Sequence, residues 1–161
     1  MADDEVMLRI SASAPRRVFA VATLVALGAV LIYLTLTDAQ AHPAMRALLI
    51  VLGVAVLFGA DRMRRSTGEV LELTNEVLRS TTGEVLTEID NIASLDRGVF
   101  GLKPSNGFTI RLHARRSYRW FPGLWWRMGR RIGVGGVIEG RQTRVMAETI
   151  TAILAQRGPR P

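Results

Sequence analysis

The sequence predicts a membrane-anchored protein in which a hairpin of two transmembrane helices is followed by a mainly β domain with a C-terminal amphipathic helix. Two apolar runs near the start, short segments between turn residues in the middle and helical periodicity at the end predict this fold class. A chain of 161 residues has room for one compact domain beside the apolar hairpin. The predicted parts are an N-terminal segment 1–17, spans 18–37 and 43–61 joined by loop 38–42, the β domain 66–157 and a tail 158–161.

The two apolar runs differ in length. Residues 18–37 carry no charged side chain and, at about 1.5 Å per residue, are long enough to cross about 30 Å of hydrocarbon. The second run is shorter, and it reaches spanning length if its helix begins at Pro43 and Arg46 extends toward the interface. A cleaved signal peptide is the alternative for the first run, because Ala39-Gln40-Ala41 resembles a cleavage site.

Small residues recur four positions apart in both spans, at Ala22 and Ala26 and at Ala55 and Gly59. Such spacing lets helix backbones approach closely. We therefore expect the two helices to pack on each other.

Basic residues flank the hairpin on its outer ends. The connection between the spans has only Arg46, whereas basic flanks remain cytoplasmic. Both termini are therefore expected in the cytoplasm. The flanking residues are Arg9, Arg16 and Arg17 before the first span and Arg62, Arg64 and Arg65 after the second.

After Ser66, short apolar segments alternate with glycine and asparagine, which is typical of an antiparallel sheet. The clearest strand has Phe108, Ile110 and Leu112 on one face, and Asn106-Gly107 before it is a hairpin-turn signal. The predicted strands are 69–74, 77–80, 84–89, 93–100, 107–113, 117–120 and 132–138.

The end of the chain has helical periodicity. Between Arg141 and Arg157, apolar residues recur at helical spacing, and Gly158-Pro159 then ends the pattern. This amphipathic helix needs an apolar partner, and the sheet provides one. Its predicted apolar face consists of Val145, Met146, Ile150, Ile153 and Leu154.

Residues 66–157 resemble bacterial pleckstrin-homology-like (PH-like) domains, which have around seven strands followed by one C-terminal helix. The resemblance is carried by Leu73-Thr74, the strand 77–79, the turn Thr82-Gly83 and the segment Ile89-Asp90-Asn91-Ile92. Such domains often occur beside paired transmembrane helices in bacterial plasma-membrane proteins. The resemblance therefore implies a multi-pass protein of the bacterial plasma (inner) membrane.

The first hairpin of this domain departs from phosphoinositide-binding PH domains. Those domains carry lysine and arginine there, whereas this chain has Glu69, Glu72, Glu76 and Glu84. The resemblance therefore does not imply phosphoinositide recognition.

The predicted domain has an acidic half followed by a basic half, and the basic half contains all three tryptophans. Tryptophan and arginine together favour the headgroup region of a bilayer. We therefore predict a membrane or partner patch at a loop around Pro122-Gly123. Its predicted residues are Arg119, Trp120, Phe121, Trp125, Trp126, Arg127, Arg130 and Arg131. The alternative is that the tryptophans fill the core and the arginines form a solvated face.

The sequence favours a non-catalytic interaction module. It contains no cysteine, and its histidines, His42 and His113, have no metal-ligand spacing, so neither a metal site nor a cofactor is predicted. Ser105, His113 and Asp90 fit no catalytic motif, and nucleic acid is disfavoured by the membrane anchor. We expect an accessory or scaffold protein with a membrane-protein partner, the alternative being a domain that binds anionic lipid headgroups. Gly133-Val134-Gly135-Gly136-Val137 has no following GK[ST] and indicates a glycine-bearing strand or a bulge rather than a phosphate loop.

Overall fold

A computed structural model describes residues 5–37, 42–96 and 106–158. Most of the predicted loop 38–42, the end of the predicted strand 93–100, Ser105 and most of the tail 158–161 lie outside the described residues. The elements in chain order are β1 (Leu8–Ser11), α1 (Ala14–Thr37), α2 (Pro43–Ser66), β2 (Val70–Leu73), β3 (Val77–Ser80), β4 (Val85–Glu88), a short 3-10 turn (Ile89–Asn91), β5 (Ile92–Asp96), β6 (Phe108–Phe121), β7 (Trp125–Val134) and α3 (Gly140–Arg157).

The helices α1 and α2 are long and apolar. Their best windows have mean hydropathies of 2.4 and 2.1, and both helices are long enough to cross a membrane. Each helix extends beyond its predicted span, because α1 begins at Ala14 rather than at residue 18 and α2 continues to Ser66 rather than to 61. Large apolar side chains point outward, among them Phe19 and Phe58 at 75% and 70% exposure. The layout of two long apolar helices is therefore confirmed.

Two glycines permit the close approach of α1 and α2. A Cβ atom on Gly28 would lie 2.7 Å from Leu57 Cγ, and one on Gly53 would lie 2.8 Å from Ile32 Cγ1. The predicted packing of the helices is therefore confirmed, but the predicted small residues do not mediate it. Ala22, Ala26 and Ala55 are exposed, and a Cβ on Gly59 would meet nothing within 4 Å.

The predicted start of α2 at Pro43 is also found. Arg46, one turn later, donates from Nε and from Nη2 to the carbonyl oxygen of Thr35, each at 3.4 Å. A cation at the C-terminal end of α1 satisfies a carbonyl that has no partner within the helix. Arg46 therefore joins the two helices at the end of the hairpin far from the β domain.

The segment before α1 contains a strand that the sequence prediction missed. β1 pairs antiparallel with β2, with Arg9 opposite Glu72 and Ile10 opposite Leu71. Ile10 is 1% exposed. The β domain therefore begins before the helix pair and continues after it, and the prediction that 1–17 lies outside the domain is wrong.

The seven strands form two antiparallel sheets. One sheet has the order β1-β2-β3-β4 and the other has the order β5-β6-β7. The predicted strands 107–113 and 117–120 are a single strand, β6, with register shifts against β7. β7 begins at Trp125, so most of the predicted loop between 121 and 131 is a strand.

The core lies between the two sheets and α3. The predicted C-terminal helix is confirmed and begins one residue earlier, at Gly140. Its buried positions include Met146 and Ile150, whereas Val145, predicted to be on the apolar face, is 42% exposed. The core cluster also contains Leu71, Leu73, Leu78, Leu86, Ile89, Phe108, Ile110, Leu112, Trp125, Ile132 and Val134.

Candidate interaction surface

β6 and β7 form a long hairpin whose turn is Pro122-Gly123-Leu124. Near this turn, Phe121 pairs with Trp125, Trp120 with Trp126 and Arg119 with Arg127. Because successive side chains of a strand point to opposite faces, the aromatic and basic residues divide between two faces. We call these the inner face, which contains Trp125, and the outer face, which contains Trp126.

On the inner face, Trp125 is a core residue at 1% exposure. Its ring stacks on Phe121, with ring centroids 4.7 Å apart and an interplanar angle of 13°. Its indole Nε1 is buried without a hydrogen-bond partner among the described residues. Of the two alternatives for the tryptophans, a membrane or partner patch and a position in the core, Trp125 occupies the core.

Arg127 lies beside Trp125 and is 4% exposed. Its Nη1 donates to the carbonyl oxygens of Val85 and Leu86, both at 2.8 Å, and its Nε donates to the carbonyl oxygen of Ser117 at 2.9 Å. Its Nη2 lies 3.0 Å from Glu84 Oε1. Arg127 therefore bridges the edge of β4 in one sheet to the β6–β7 hairpin of the other.

Burial lowers the pKa of the Arg127 guanidinium below its ordinary value, and the adjacent Glu84 carboxylate offsets part of this effect. An arginine remains protonated in a protein, so the chain carries a buried positive charge at this position. The charge is compensated by Glu84 and by carbonyl oxygens, as a buried charge requires. Arg127 is thus a structural residue.

The acidic and basic halves of the sequence meet across the two sheets. Glu84 lies 3.3 Å from Arg119 Nε as well as beside Arg127, and Glu88 Oε1 lies 2.7 Å from Arg116 Nη2. These ion pairs connect β4 and the residue before it to the part of the β6–β7 hairpin near its turn. Part of the charge separation along the sequence is therefore neutralised in the fold.

The outer face near the turn is apolar and exposed. Trp120 is 51% exposed, and its neighbours Tyr118 and Met128 are also exposed. Trp126 is partly buried because its ring covers Gly133, where a Cβ atom would lie 2.4 Å from Trp126 Nε1. Trp120, Trp126, Tyr118 and Met128 form what we call the aromatic face.

Two arginines continue the outer face between Met128 and Gly133. Arg111 and Arg131 are exposed and stand directly opposite each other in the β6–β7 pairing. Neither has an ion-pair partner among residues 5–37, 42–96 and 106–158. Like charges directly opposite each other in a sheet repel. An anion at this position would relieve that repulsion.

The turn of the hairpin packs on the end of α2. Ser66 Oγ donates to the carbonyl oxygen of Pro122 at 2.7 Å. Gly123 has φ +81°, and a Cβ atom there would lie 2.7 Å from Met63 Cε and 3.0 Å from Thr67 Cγ2. The aromatic face therefore begins at Trp120, two residues before Pro122, which contacts the C-terminal end of α2.

The predicted patch residues thus occupy three environments. Trp125 and Arg127 are buried, Phe121 and Trp126 are partly buried, and Arg119, Trp120, Arg130 and Arg131 are exposed. Only the exposed and partly buried members can contribute to a surface. Arg111, Tyr118 and Met128 belong to the same surface and were missed. Alternation from Phe108 would have found Arg111, whereas Tyr118 lies beyond register shifts between Arg111 and Arg119 that change the face on which residues stand.

The structure describes two of the three polar residues that fit no catalytic motif, Asp90 and His113. Asp90 and His113 line a depression of about 240 Å³, together with Leu154 and Arg157. Asp90 Oδ1 is held by Arg157 Nη1 at 2.5 Å. Within the described parts of the chain, no group of three His, Cys, Asp or Glu side chains could hold a metal ion.

No protein-family model, curated protein or solved structure shows significant similarity to this chain.

Proposed function

We propose that this chain is an integral protein of a bacterial plasma membrane whose helix pair holds a PH-like interaction domain against the cytoplasmic surface, where it serves a membrane-protein partner as an accessory or scaffold. The exposed apolar side chains on both helices support insertion into a membrane, because the exposure of so large an apolar surface to water is unfavourable. Seven strands and a C-terminal helix among the described residues support the PH-like assignment, with the helix pair following the first strand.

The relation of β1 to β2 supports a hairpin with both ends on one side. β1 immediately precedes α1, and its partner β2 shortly follows α2. The start of α1 and the end of α2 must therefore lie close together. Arginines are numerous at this end, with Arg16 and Arg17 on α1 and Arg64 and Arg65 on α2. Basic flanks favour the cytoplasm.

The observation that carries the proposal is the direct docking of the β6–β7 turn on α2 through Ser66 and Pro122. A domain connected by a flexible linker would sample many orientations, whereas this domain is held by a strand pair, a hydrogen bond and a packed glycine. A fixed orientation favours the presentation of one surface to a partner in the same membrane. The helix pair and the domain then act as one unit.

The membrane topology can be tested with single cysteines, since the chain has none of its own. Glu5→Cys, His42→Cys and Gln156→Cys are placed at exposed positions. In intact spheroplasts, a membrane-impermeant maleimide should label only His42→Cys, and lysis should make the other two reactive. Labelling of Glu5→Cys in intact cells would overturn the proposed topology.

The partner can be tested by affinity purification of the full-length protein from native membranes after crosslinking. We expect a membrane protein to be recovered reproducibly in a stoichiometric complex. A matched sample carrying Gly123→Ala, which disturbs docking on α2, should recover less of it. Recovery of no reproducible protein would overturn the accessory function.

A further inference from the structure

We infer that the outer face of the β6–β7 hairpin, formed by the aromatic face together with Arg111 and Arg131, contacts the anionic lipid headgroups of the leaflet from which α2 emerges. This inference rests on the proposed function, because it requires that α1 and α2 span the bilayer. It assigns the exposed tryptophans and arginines to one ligand class and gives the domain a preferred orientation on the membrane.

The position of the aromatic face brings it to the headgroup region. The first charged residue after the apolar part of α2 is Asp61, and the helix ends at Ser66, which at about 1.5 Å per residue is roughly 8 Å farther from the hydrocarbon. Ser66 contacts Pro122, and Trp120 is two residues from Pro122. Trp120 and Trp126 therefore lie near the level at which headgroups surround the helix.

The chemistry of the aromatic face fits an interface. Tryptophan has an apolar ring with an N–H group that needs a polar partner, and tyrosine has an apolar ring with a hydroxyl. Both residue types accumulate at the boundary between hydrocarbon and water. Trp120 and Tyr118 are more than half exposed, and both side chains face away from the core.

The arginines supply charge complementarity. Arg111 and Arg131 repel each other across the strand pair, and in the described parts of the chain no carboxylate neutralises either of them. Three other hairpin arginines differ, because Arg116, Arg119 and Arg127 are paired with Glu84 or Glu88. The charges of Arg111 and Arg131 lie on the outer face, near the ring of Trp126 over Gly133. Each arginine near an anionic leaflet adds roughly a fivefold preference for that surface.

A bilayer is favoured over a protein as the occupant of this face because the face continues from the membrane helix. Gly123 packs on Met63, and the aromatic face begins immediately beside that contact. A protein that bound the aromatic face would have to displace the lipid that surrounds the end of α2. The tether makes even weak lipid contacts effective.

The test uses the full-length protein with one nitroxide spin label at Met128→Cys, reconstituted into phosphatidylcholine vesicles with or without phosphatidylglycerol. The label's accessibility to oxygen and to a water-soluble nickel complex is measured by power saturation. With phosphatidylglycerol we expect low nickel and high oxygen accessibility at position 128. Matched labels at Val145→Cys on α3 and Ala26→Cys on α1 provide an aqueous and a lipid reference, since both positions are exposed.

Charge reversal identifies the ligand. Arg111→Glu with Arg131→Glu should make the label at 128 several-fold more accessible to nickel in phosphatidylglycerol vesicles, whereas Arg141→Glu with Arg144→Glu on α3 should leave it unchanged. Nickel accessibility at 128 equal to that at 145 in the unmodified background would overturn the inference. Protection found only in native membranes, and absent from phosphatidylglycerol vesicles, would also overturn it and would indicate a protein on this face. If oxygen and nickel accessibility show that the label at position 26 is not in lipid, the proposed membrane insertion is wrong. If the label at position 26 is in lipid and the label at position 128 is not, only this inference is wrong.

Discussion

Ser66, the last residue of α2, donates a hydrogen bond from its hydroxyl to the carbonyl oxygen of Pro122 at 2.7 Å. Ser66 is buried at 6% exposure, and Pro122 is partly buried. The contact joins the end of an apolar helix to the turn of the longest hairpin in the described domain. The orientation of the domain relative to the helices is therefore set by contacts between their residues.

Gly123→Ala should loosen the domain from α2. The new Cβ would have to displace Met63 Cε, and the backbone at φ +81° is unfavourable for alanine by about 1–2 kcal/mol. Gly83→Ala is the matched control, because Gly83 has φ +86° and open space around it. We expect hydrogen exchange at residues 63–68 to accelerate only in Gly123→Ala, measured on the full-length protein in detergent. Equal exchange in the two variants would show that the glycine contact does not hold the domain.

Arg127→Met should destabilise the domain by about 3–5 kcal/mol, because it leaves Glu84 and the carbonyls of Val85 and Leu86 without their buried partner. Arg127→Lys should also be destabilising, since an ammonium group cannot replace the planar guanidinium at these acceptors. Thermal unfolding of the detergent-solubilised protein measures the effect. Arg130→Met, at an exposed position of the same strand, should shift the midpoint little. A similar midpoint for Arg127→Met and Arg130→Met would refute a structural role for Arg127.

Glu72→Gln should release β1 from the sheet. Glu72 is 7% exposed and lies 3.0 Å from Arg9 Nε and 3.2 Å from Arg79 Nε, on the two neighbouring strands. Loss of the charged contacts to Arg9 and Arg79 should lower the free energy of opening β1 by about 1–3 kcal/mol. We expect a value near the lower end, because Arg9 is largely exposed.

The readout for β1 is hydrogen exchange at residues 8–11. Glu76→Gln, at an exposed position in the loop between β2 and β3, is the control and should leave this exchange unchanged. Unchanged protection of β1 in Glu72→Gln would mean that its backbone pairing alone holds the strand.

Gly28→Leu should separate α1 from α2. Its side chain would overlap Leu57, and such overpacking costs about 1–3 kcal/mol. Gly59→Leu should be tolerated because the space around Gly59 is open. Spin labels at Ala26→Cys and Ala55→Cys, both exposed, report the distance between the helices. An unchanged distance distribution in Gly28→Leu would contradict the close approach at Gly28.

Hydrophobic patterning predicted the helices, α3 and most strands, because each buries or exposes a periodic face. It missed β1, since the alternation of Leu8 and Ile10 is too short to indicate a strand by itself and the partner strand lies beyond both helices. A fragment that begins at residue 66 lacks β1 and leaves the edge of β2 open. A soluble form of the domain therefore needs residues 8–11 as well.

The candidate surface was predicted in composition but not in arrangement. Pro122-Gly123 correctly marked a turn, but the arginines and tryptophans around it lie on strands, where alternate residues have opposite environments. Composition could not distinguish Arg127 from Arg130, because burial of Arg127 depends on carbonyl oxygens of β4, a strand about 40 residues earlier. Long-range pairing of this kind has no local signal.

The pairing of β1 with β2 also has a consequence for biosynthesis. The ribosome releases β1 before either helix and makes its partner β2 only after α2, so in the proposed topology the sheet is completed after the chain has crossed the bilayer and returned. A copy in which α2 fails to insert would leave the two strands on opposite sides of the membrane. In the proposed topology, pairing of β1 with β2 therefore requires that both helices insert.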